Sequence, residues 1–400
     1  MNVILQVFVI FAAAKAAGEV FVRLRQPAIV GELLVGVMLG PHLLGWVEVN
    51  GATNALSQVG IVVLLFTAGL ETKVSDLVSV GRTAAVASVA GILAAGGTGF
   101  GVVAAFGYST RAALLAGVGL AASSVGIAAR AFGDLGCMTI RPARVVLGAA
   151  VVDDIVVLAL LPLAQGLSSG RSVLGLLVGV AGAIGFVVLV SAIGPRLARR
   201  HSGVLARPRI GRGPFVLSLG LCLGLAALAE QVGLAALVGA FLAGMVLAET
   251  PDHDELERRM EPLFDFLVPF FFVVSAAHVD PGDLADAGAP FLVALVAVTL
   301  AAKLGGCGLG ALGLSLRERL TVGVGMLPRA EVTLAVAGAG LAAHELPAPV
   351  FSALLAAVLV STLLAPPLLK VTVPEREQRL RRRPPDVPPE AGGPGKDGDE

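Results

Sequence analysis

The sequence predicts an all-α integral membrane protein with thirteen transmembrane helices arranged as inverted-topology repeats. Three observations support this fold class: the hydrophobic composition, the division of the chain into apolar stretches, and two similarly interrupted stretches. Of the 400 residues, 56% are hydrophobic and 14% are charged, whereas soluble domains have about 45–50% apolar and 25% charged residues. The composition therefore excludes a soluble globular protein and a disordered chain.

Net charge and cysteine content exclude two further classes of protein. Acidic and basic residues balance at 29 each, so there is no excess of positive charge for binding nucleic acid. Cys137, Cys222 and Cys307 are far apart and have neither metal-binding nor disulfide spacing. We expect these cysteines to be packing residues, and we expect no cofactor.

A helix that crosses a bilayer needs about 20 predominantly apolar residues. Charged, Pro-rich and Gly-rich interruptions divide the chain into thirteen such stretches, which predict one transmembrane domain over residues 1–373. The charged and Pro-rich residues 374–400 are predicted to be a disordered cytoplasmic tail. The stretches are 2–22, 27–47, 54–71, 83–106, 111–131, 143–165, 172–194, 213–230, 232–249, 261–278, 289–312, 319–343 and 348–371.

Basic residues predict the orientation, because Lys and Arg collect in short cytoplasmic loops. One side has a cluster of six arginines between residues 196 and 212, whereas the other has only Arg111 and Arg171. The N-terminus is therefore predicted to lie outside and the C-terminus in the cytoplasm. A signal peptide is the alternative for the first stretch, but no basic residue precedes its apolar part.

Two stretches are interrupted by small residues or proline and are predicted to be broken helices. The fifth contains Ser123 and Ser124 among glycines, and the twelfth contains Pro328, Arg329 and Glu331. Broken helices at corresponding positions of two halves mark transporter binding sites. The two are seven spans apart, an odd number, so the halves run in opposite directions. Ordinary kinked helices are the alternative, because Gly and Pro are common in transmembrane helices.

Five ionisable residues are predicted to lie deep in the membrane: Asp153, Asp154, Lys303, Arg329 and Glu331. An ionisable side chain at the bilayer centre costs about 2.5–3.5 kcal/mol on insertion scales, so each needs a partner or a function. Three acids face two bases, which leaves one carboxylate without a counter-charge. That carboxylate is the natural site of competition between a proton and a cation.

Asp153 and Asp154 cannot face the same partner, because adjacent helical residues point about 100° apart. We expect one of them to pair with Lys303 and the other to face a water-filled cavity near Ser123 and Ser124. Hydroxyl and carbonyl oxygens there would suit a small hard cation. The alternative is that salt bridges hold both aspartates.

Other charged residues receive simpler interpretations. Arg329 and Glu331 are expected to neutralise helix dipoles at the breaks rather than to bind the ion directly. Glu32 has no partner in the nearby sequence and is a candidate for contact with cytoplasmic water. Lys15 and Glu19 are one helical turn apart and are predicted to pair with each other.

Several segments resemble motifs of the monovalent cation/proton antiporter-2 family, and together with VVDD they extend the resemblance over nearly all of residues 1–373. The family's second broken-helix motif usually has Gly where this chain has Ala330. The segments are QPAIVGELLVGVMLGPHLLG at 26–45, LLFTAGLET at 64–72, SSVGIAARAFGDLG at 123–136, VVDD at 151–154 and GMLPRAEVTLAVAG at 325–338.

The resemblance implies the sodium/proton antiporter fold with two crossed broken helices. It implies a homodimer in a bacterial inner membrane, in which a scaffold supports a mobile core that carries the site across by an elevator movement. It also implies that Asp154 binds the cation and the proton, that Asp153 forms a salt bridge with Lys303, and that exchange is electrogenic.

The resemblance favours exchange of Na⁺ for protons, with a role in pH homeostasis. K⁺ or Li⁺ is the alternative cation, although the potassium-efflux branch usually carries a nucleotide-binding domain that we do not expect here. The chain is expected to be a transporter and not an enzyme. An intramembrane aspartyl protease needs two aspartates that face each other from different helices, and an organic-anion carrier would need a site without an unpaired acid, since like charges repel.

Overall fold

The computed structural model describes residues 2–71, 81–168, 213–231, 236–251 and 253–373, with isolated residues between 185 and 196. Within these ranges the regular structure is entirely helical. Most of the seventh predicted stretch, 172–194, and the predicted tail, 374–400, lie outside the described residues. In chain order the helices are α1 (Val3–Arg23), α2 (Ala28–Leu39), α3 (Gly51–Leu70), α4 (Arg82–Ala105), α5 (Thr110–Ala121), α6 (Val125–Asp134), α7 (Arg141–Ser168), α8 (Gly213–Gln231), α9 (Ala236–Ala248), α10 (His253–Ala277), α11 (Pro281–Ala287), α12 (Ala289–Gly310), α13 (Leu316–Gly325), α14 (Glu331–Ala342) and α15 (Ala348–Thr372).

Seven helical segments of the described chain are long and apolar enough to cross a membrane. They are α1, α3, α4, α10, α12, α15 and the pair formed by α5 and α6. Large apolar side chains such as Ile4 and Phe8 of α1 are exposed, as expected for a surface that lipid covers. The prediction of an all-helical membrane protein is confirmed, and the count of thirteen spans stays a prediction.

Apart from the short α11, which contacts α12 and α15, the helices pack into two groups. Helices α1, α2, α3, α8, α9 and α10 form the first group, in which α3 packs against both α9 and α10. Helices α4, α5, α6, α7, α12, α13, α14 and α15 form the second group, in which α4 packs closely on α12. Contacts between the groups include those of α3 with α14 and of α2 with α15.

Small residues bring helices of the first group very close together. Gly244 of α9 lies against α3, where an added Cβ would be 2.7 Å from the backbone nitrogen of Leu70. Gly69 on α3 faces the same contact. Such close approach is typical of helices that associate in membranes, where packing rather than the hydrophobic effect holds them together.

The second group contains the same order of helices twice: one long helix, one broken helix and another long helix. Helices α4, α5/α6 and α7 form the first set, and α12, α13/α14 and α15 form the second. The first break falls between Ala121 and Val125, and the second between Gly325 and Glu331. Both interruptions predicted from Gly, Ser and Pro are therefore confirmed.

The three cysteines are packing residues, as predicted. Cys137, Cys222 and Cys307 are all buried, and none of them forms a disulfide in the part of the chain that the structure describes.

Candidate functional site

The two breaks lie against each other inside the second group of helices. The backbone nitrogen of Ser124 donates a hydrogen bond of 2.8 Å to the carbonyl of Pro328. The hydroxyl of Thr333 donates one of 2.9 Å to the carbonyl of Gly119. Four half-helices, α5, α6, α13 and α14, therefore end or begin at one place, where unpaired backbone groups and helix dipoles accumulate.

Arg329 satisfies the carbonyl end of α5. Its side chain is completely buried. The guanidinium donates from Nη1 to the carbonyls of Leu120 and Ala122, the latter at 2.6 Å, and from Nη2 to that of Thr299 at 3.5 Å. A positive charge at the negative end of a helix dipole is favourable.

Glu331 lies at the opposite kind of helix end. It is the first residue of α14, and both of its carboxylate oxygens accept from the hydroxyl of Ser124 at 3.0 Å. Ser124 is itself the N-cap of α6 and accepts from the backbone nitrogen of Ile127. The Glu331 carboxylate thus lies near the positive ends of two half-helices. These contacts fit the dipole-neutralising roles predicted for Arg329 and Glu331.

One expectation about charge pairing is wrong. The prediction counted Arg329 as a counter-charge for one of three deep acids, but the described structure contains no ion pair between Arg329 and a carboxylate. The guanidinium of Arg329 instead donates hydrogen bonds to backbone carbonyls. Two deep carboxylates, those of Asp154 and Glu331, therefore lack a basic partner among the described residues.

Asp153 is held on every side inside the second group. Nζ of Lys303 on α12 lies 2.5 Å from its Oδ2, and neither side chain is exposed. The Ser88 hydroxyl on α4 donates to Oδ1 at 2.7 Å, and the Ser123 hydroxyl lies 2.9 Å from Oδ2. Sequence reasoning missed Ser88, because a single serine among Ala and Gly in an apolar helix gives no signal of its own.

Asp154 has a different environment. Its side chain is 4% exposed, and Oδ1 has no hydrogen-bond partner in the described structure. The carboxylate lines a cavity, together with Ser124 and Glu331. A buried carboxylate oxygen without a donor is costly unless a mobile ligand reaches it. The neighbouring aspartates thus face different surroundings: one is bound to a lysine and the other faces open space.

The cavity has a volume of about 320 Å³ and lies between the two groups of helices. Helices α1, α2, α3 and α10 supply one wall, and α6, α7 and α14 supply the other. Its lining contains more acids than bases, a charge balance that favours cations over anions. The charged lining residues are Lys15, Glu32, Glu71, Arg130, Asp154, Asp265 and Glu331.

Of the remaining candidate residues, Ser124 and Glu32 line the cavity and Ser123 does not. Ser124 lines the cavity, whereas the Ser123 hydroxyl is engaged by Asp153 and by the carbonyl of Met326. Glu32 lines the cavity on the wall opposite Asp154.

The predicted pair of Lys15 with Glu19 is wrong. Lys15 instead contacts Asp265 of α10 at 2.7 Å, and Glu19 pairs with Arg23. Helical spacing alone favoured the local partner, and it carries no information on which neighbouring helix packs against α1.

Comparison with known proteins agrees with this architecture. A family described as "Sodium/hydrogen exchanger, transmembrane" matches residues 8–373. The chain is 32% identical over 381 residues to the Na(+)/H(+)-K(+) antiporter GerN of Bacillus cereus, which covers 94% of this chain and 97% of GerN. It is 31% identical to the high-affinity Na(+)/H(+) antiporter NhaS3 of Synechocystis, over 92% of this chain and 89% of NhaS3.

The fold is also similar to a solved structure. The sodium proton antiporter MjNhaP1 of Methanocaldococcus jannaschii superimposes with a TM-score of 0.75 at 18% identity, over 93% of this chain and 98% of that one. With two broken helices joined at their breaks, a lysine-bound aspartate and a family match over nearly its whole length, the chain belongs to the sodium/hydrogen exchanger family of cation/proton antiporters.

Proposed function

We propose that this protein exchanges a monovalent cation, most readily Na⁺, for protons across the membrane. The carrying observation is the Asp154 carboxylate, which lines the cavity with its Oδ1 lacking a partner in the described structure. A carboxylate in this position binds either a proton or a cation, but not both at once. The relatives GerN and NhaS3 are both named as Na(+)/H(+) antiporters, and their similarity to this chain supports the proposal.

Competition at Asp154 is sufficient to couple the two fluxes. A bare carboxylate in an apolar region costs several kcal/mol, whereas a neutralised one crosses at much lower cost. Only an occupied site then changes sides, so each crossing carries a cation in one direction or protons in the other. Glu331 and the hydroxyl of Ser124 line the same cavity and would supply further oxygen ligands.

The movement we propose is an elevator-like displacement of one helix group past the other. The group containing α4 to α7 and α12 to α15 would carry the site, and the group containing α1 to α3 and α8 to α10 would be the scaffold. The position of the cavity between them supports this division. The proposed assembly is a homodimer, and the two sets with a long, a broken and a long helix are proposed to be inverted repeats.

We propose electrogenic exchange, in which two protons move for each cation. The Lys303–Asp153 pair would open when the cation binds and release a proton from the lysine. Each pH unit supplies about 1.4 kcal/mol per proton, and each net charge adds about 2.3 kcal/mol per 100 mV. An inward proton-motive force would therefore drive cations out of the cell.

The proposed location is the bacterial inner membrane, with the N-terminus outside and the C-terminus in the cytoplasm. The cavity would then open to the cytoplasm, since Lys15 and Arg130 line it and basic residues mark the cytoplasmic side. K⁺ is the second candidate cation, because the name of GerN includes potassium. The acidic lining disfavours an organic anion.

The test is proton flux in proteoliposomes that hold a pH gradient, on addition of Na⁺, Li⁺, K⁺ or choline. Asp154→Asn should abolish the response, and Asp134→Asn, which alters an exposed aspartate at the end of α6, is the matched control. A response to Na⁺ or Li⁺ that only Asp154→Asn loses would support sodium exchange, and a response to K⁺ alone would transfer the assignment to potassium. Full activity of Asp154→Asn would overturn the site.

A further inference from the structure

Glu32 is a second carboxylate in the cavity that has no fixed partner. It lies on α2, in the wall that faces Asp154, and its side chain is 8% exposed. No hydrogen bond or ion pair to it occurs in the part of the chain that the structure describes. Its neighbours Leu33 and Val30 on α2 are buried in the protein, whereas Glu32 lines the cavity.

Lys15, the basic residue near Glu32, forms its ion pair with a different carboxylate. Lys15 on α1 is bound to Asp265 of α10 at 2.7 Å. Lys15 attracts the Glu32 carboxylate electrostatically and Asp265 repels it, so Asp265 offsets part of the attraction. The other charged groups that line the cavity are Glu71, Arg130, Asp154 and Glu331. Five carboxylates thus share the space with two basic side chains.

A buried carboxylate without a fixed counter-charge is costly, and a mobile ligand that neutralises it recovers that cost. The same physical reasoning assigned Asp154, but it applies here to the opposite wall and to a different group of helices. Glu32 is less buried than Asp153 and is not held by a lysine. Its carboxylate is therefore free to exchange ligands with the water of the cavity.

We propose that Glu32 forms a second, separate binding site for a monovalent cation, on the wall of the cavity that faces Asp154. The site holds the cation between the solvent and Asp154, and it holds a proton when the cation is absent. One part of this proposal rests on the proposed exchange function: the ion bound at Glu32 is the ion that is transferred to Asp154.

A site of this kind changes the kinetics in a defined way. Because Glu32 lies outside the helix group that carries Asp154, it is expected to raise the local cation concentration without taking part in the crossing. Glu32→Gln should therefore raise the KM for the cation at least about threefold, which corresponds to about 0.7 kcal/mol. The maximal rate at saturating cation should change less than KM.

The decisive experiment measures cation binding when Asp154 cannot contribute. Purified Asp154→Asn protein is heated at constant ionic strength in NaCl, LiCl, KCl or choline chloride, and the unfolding temperature is compared among the salts. We expect a residual stabilisation by one of the small cations over choline, and we expect the Asp154→Asn/Glu32→Gln variant to lose it. The matched control is Asp154→Asn/Glu19→Gln, which removes an exposed glutamate paired with Arg23 and should keep the stabilisation.

The outcomes separate this proposal from the proposed function. If Asp154→Asn shows no cation-specific stabilisation, or if the Glu32 variant retains it, Glu32 is not a cation site, whatever the flux assay gives. If wild-type protein shows no exchange while the Glu32-dependent stabilisation is present, the exchange assignment fails and the second site stands. The Asp154→Asn arm does not depend on whether any Glu32 variant folds.

Discussion

Nζ of Lys303 lies 2.5 Å from Oδ2 of Asp153, and neither side chain reaches solvent. The two residues come from α12 and α7, one from each set of long and broken helices. When one partner of a buried ion pair is removed, the remaining charge is left buried without compensation, and the fold is strongly destabilised. This pair therefore ties the two sets together and makes each partner strongly dependent on the other.

Replacement of this lysine should destabilise the protein severely. Lys303→Ala leaves the Asp153 carboxylate buried without its counter-charge, so we expect the free energy of unfolding to fall by about 3–5 kcal/mol. Thermal unfolding of the purified protein in detergent, followed by circular dichroism, measures the loss. Lys370→Ala, at an exposed position near the end of α15, is the control. A melting temperature equal to that of wild type would contradict the structural role of the pair.

Loss of the Ser88 hydroxyl should have a smaller effect. Ser88→Ala removes the donor to Oδ1 of Asp153, and an unsatisfied buried acceptor costs about 1–3 kcal/mol. The matched substitution is Ser361→Ala, because among the described residues the buried Ser361 hydroxyl bonds only to the carbonyl of Val358 in its own helix. We expect that control to lose less than about 1 kcal/mol. Equal losses in the two variants would argue against a special role of Ser88.

We expect that even a conservative replacement of Arg329 lowers the stability of the protein. Arg329→Gln removes the charge that faces the carbonyls of Leu120 and Ala122, and we expect a loss of at least about 3 kcal/mol. Arg329→Lys keeps the charge but not the planar fork of donors, so its loss should be intermediate. The yield of monodisperse protein and its melting temperature provide the measurement. The exposed Arg144→Gln serves for comparison, and the idea fails if all three variants behave alike.

The close packing of α3 against α9 predicts an effect of adding one methyl group. A Cβ at Gly244 would lie 2.7 Å from the nitrogen of Leu70, so Gly244→Ala should lower the free energy of unfolding by about 1–3 kcal/mol. At Gly97 of α4, an added Cβ meets no heavy atom within 4 Å. Gly97→Ala should therefore leave the stability unchanged or raise it slightly. Comparison of the two melting temperatures decides the point.

The features that could be predicted from the sequence are those encoded within one segment. Gly, Ser and Pro interrupt two apolar stretches, and the helices do end at Ala121 and Gly325. The different surroundings of Asp153 and Asp154 follow from their adjacency, because adjacent side chains point in different directions. Arg329 and Glu331 were expected at helix ends because they lie within a broken segment.

The features that could not be predicted depend on which helices pack together. Lys15 has an acidic neighbour one turn away, yet it binds Asp265, which is 250 positions away along the chain. Arg329 was counted against a carboxylate but binds carbonyls, since nothing in the sequence shows that the end of α5 lies beside it. Ser88 is recognisable only after α4 has been placed next to α7.

The contacts across the two breaks affect more than stability. Ser124 is joined to both Pro328 and Glu331, Thr333 to Gly119, and Arg329 to the end of α5. Because these bonds fasten one broken helix to the other, Ser124 and Glu331, which line the cavity with Asp154, are held together. Under the proposed movement, the ion at Asp154 would keep Ser124 and Glu331 as neighbours on either side of the membrane, whereas Glu32 would stay with the scaffold. The ion would then not have to exchange these neighbours at the point of the crossing where it is furthest from water.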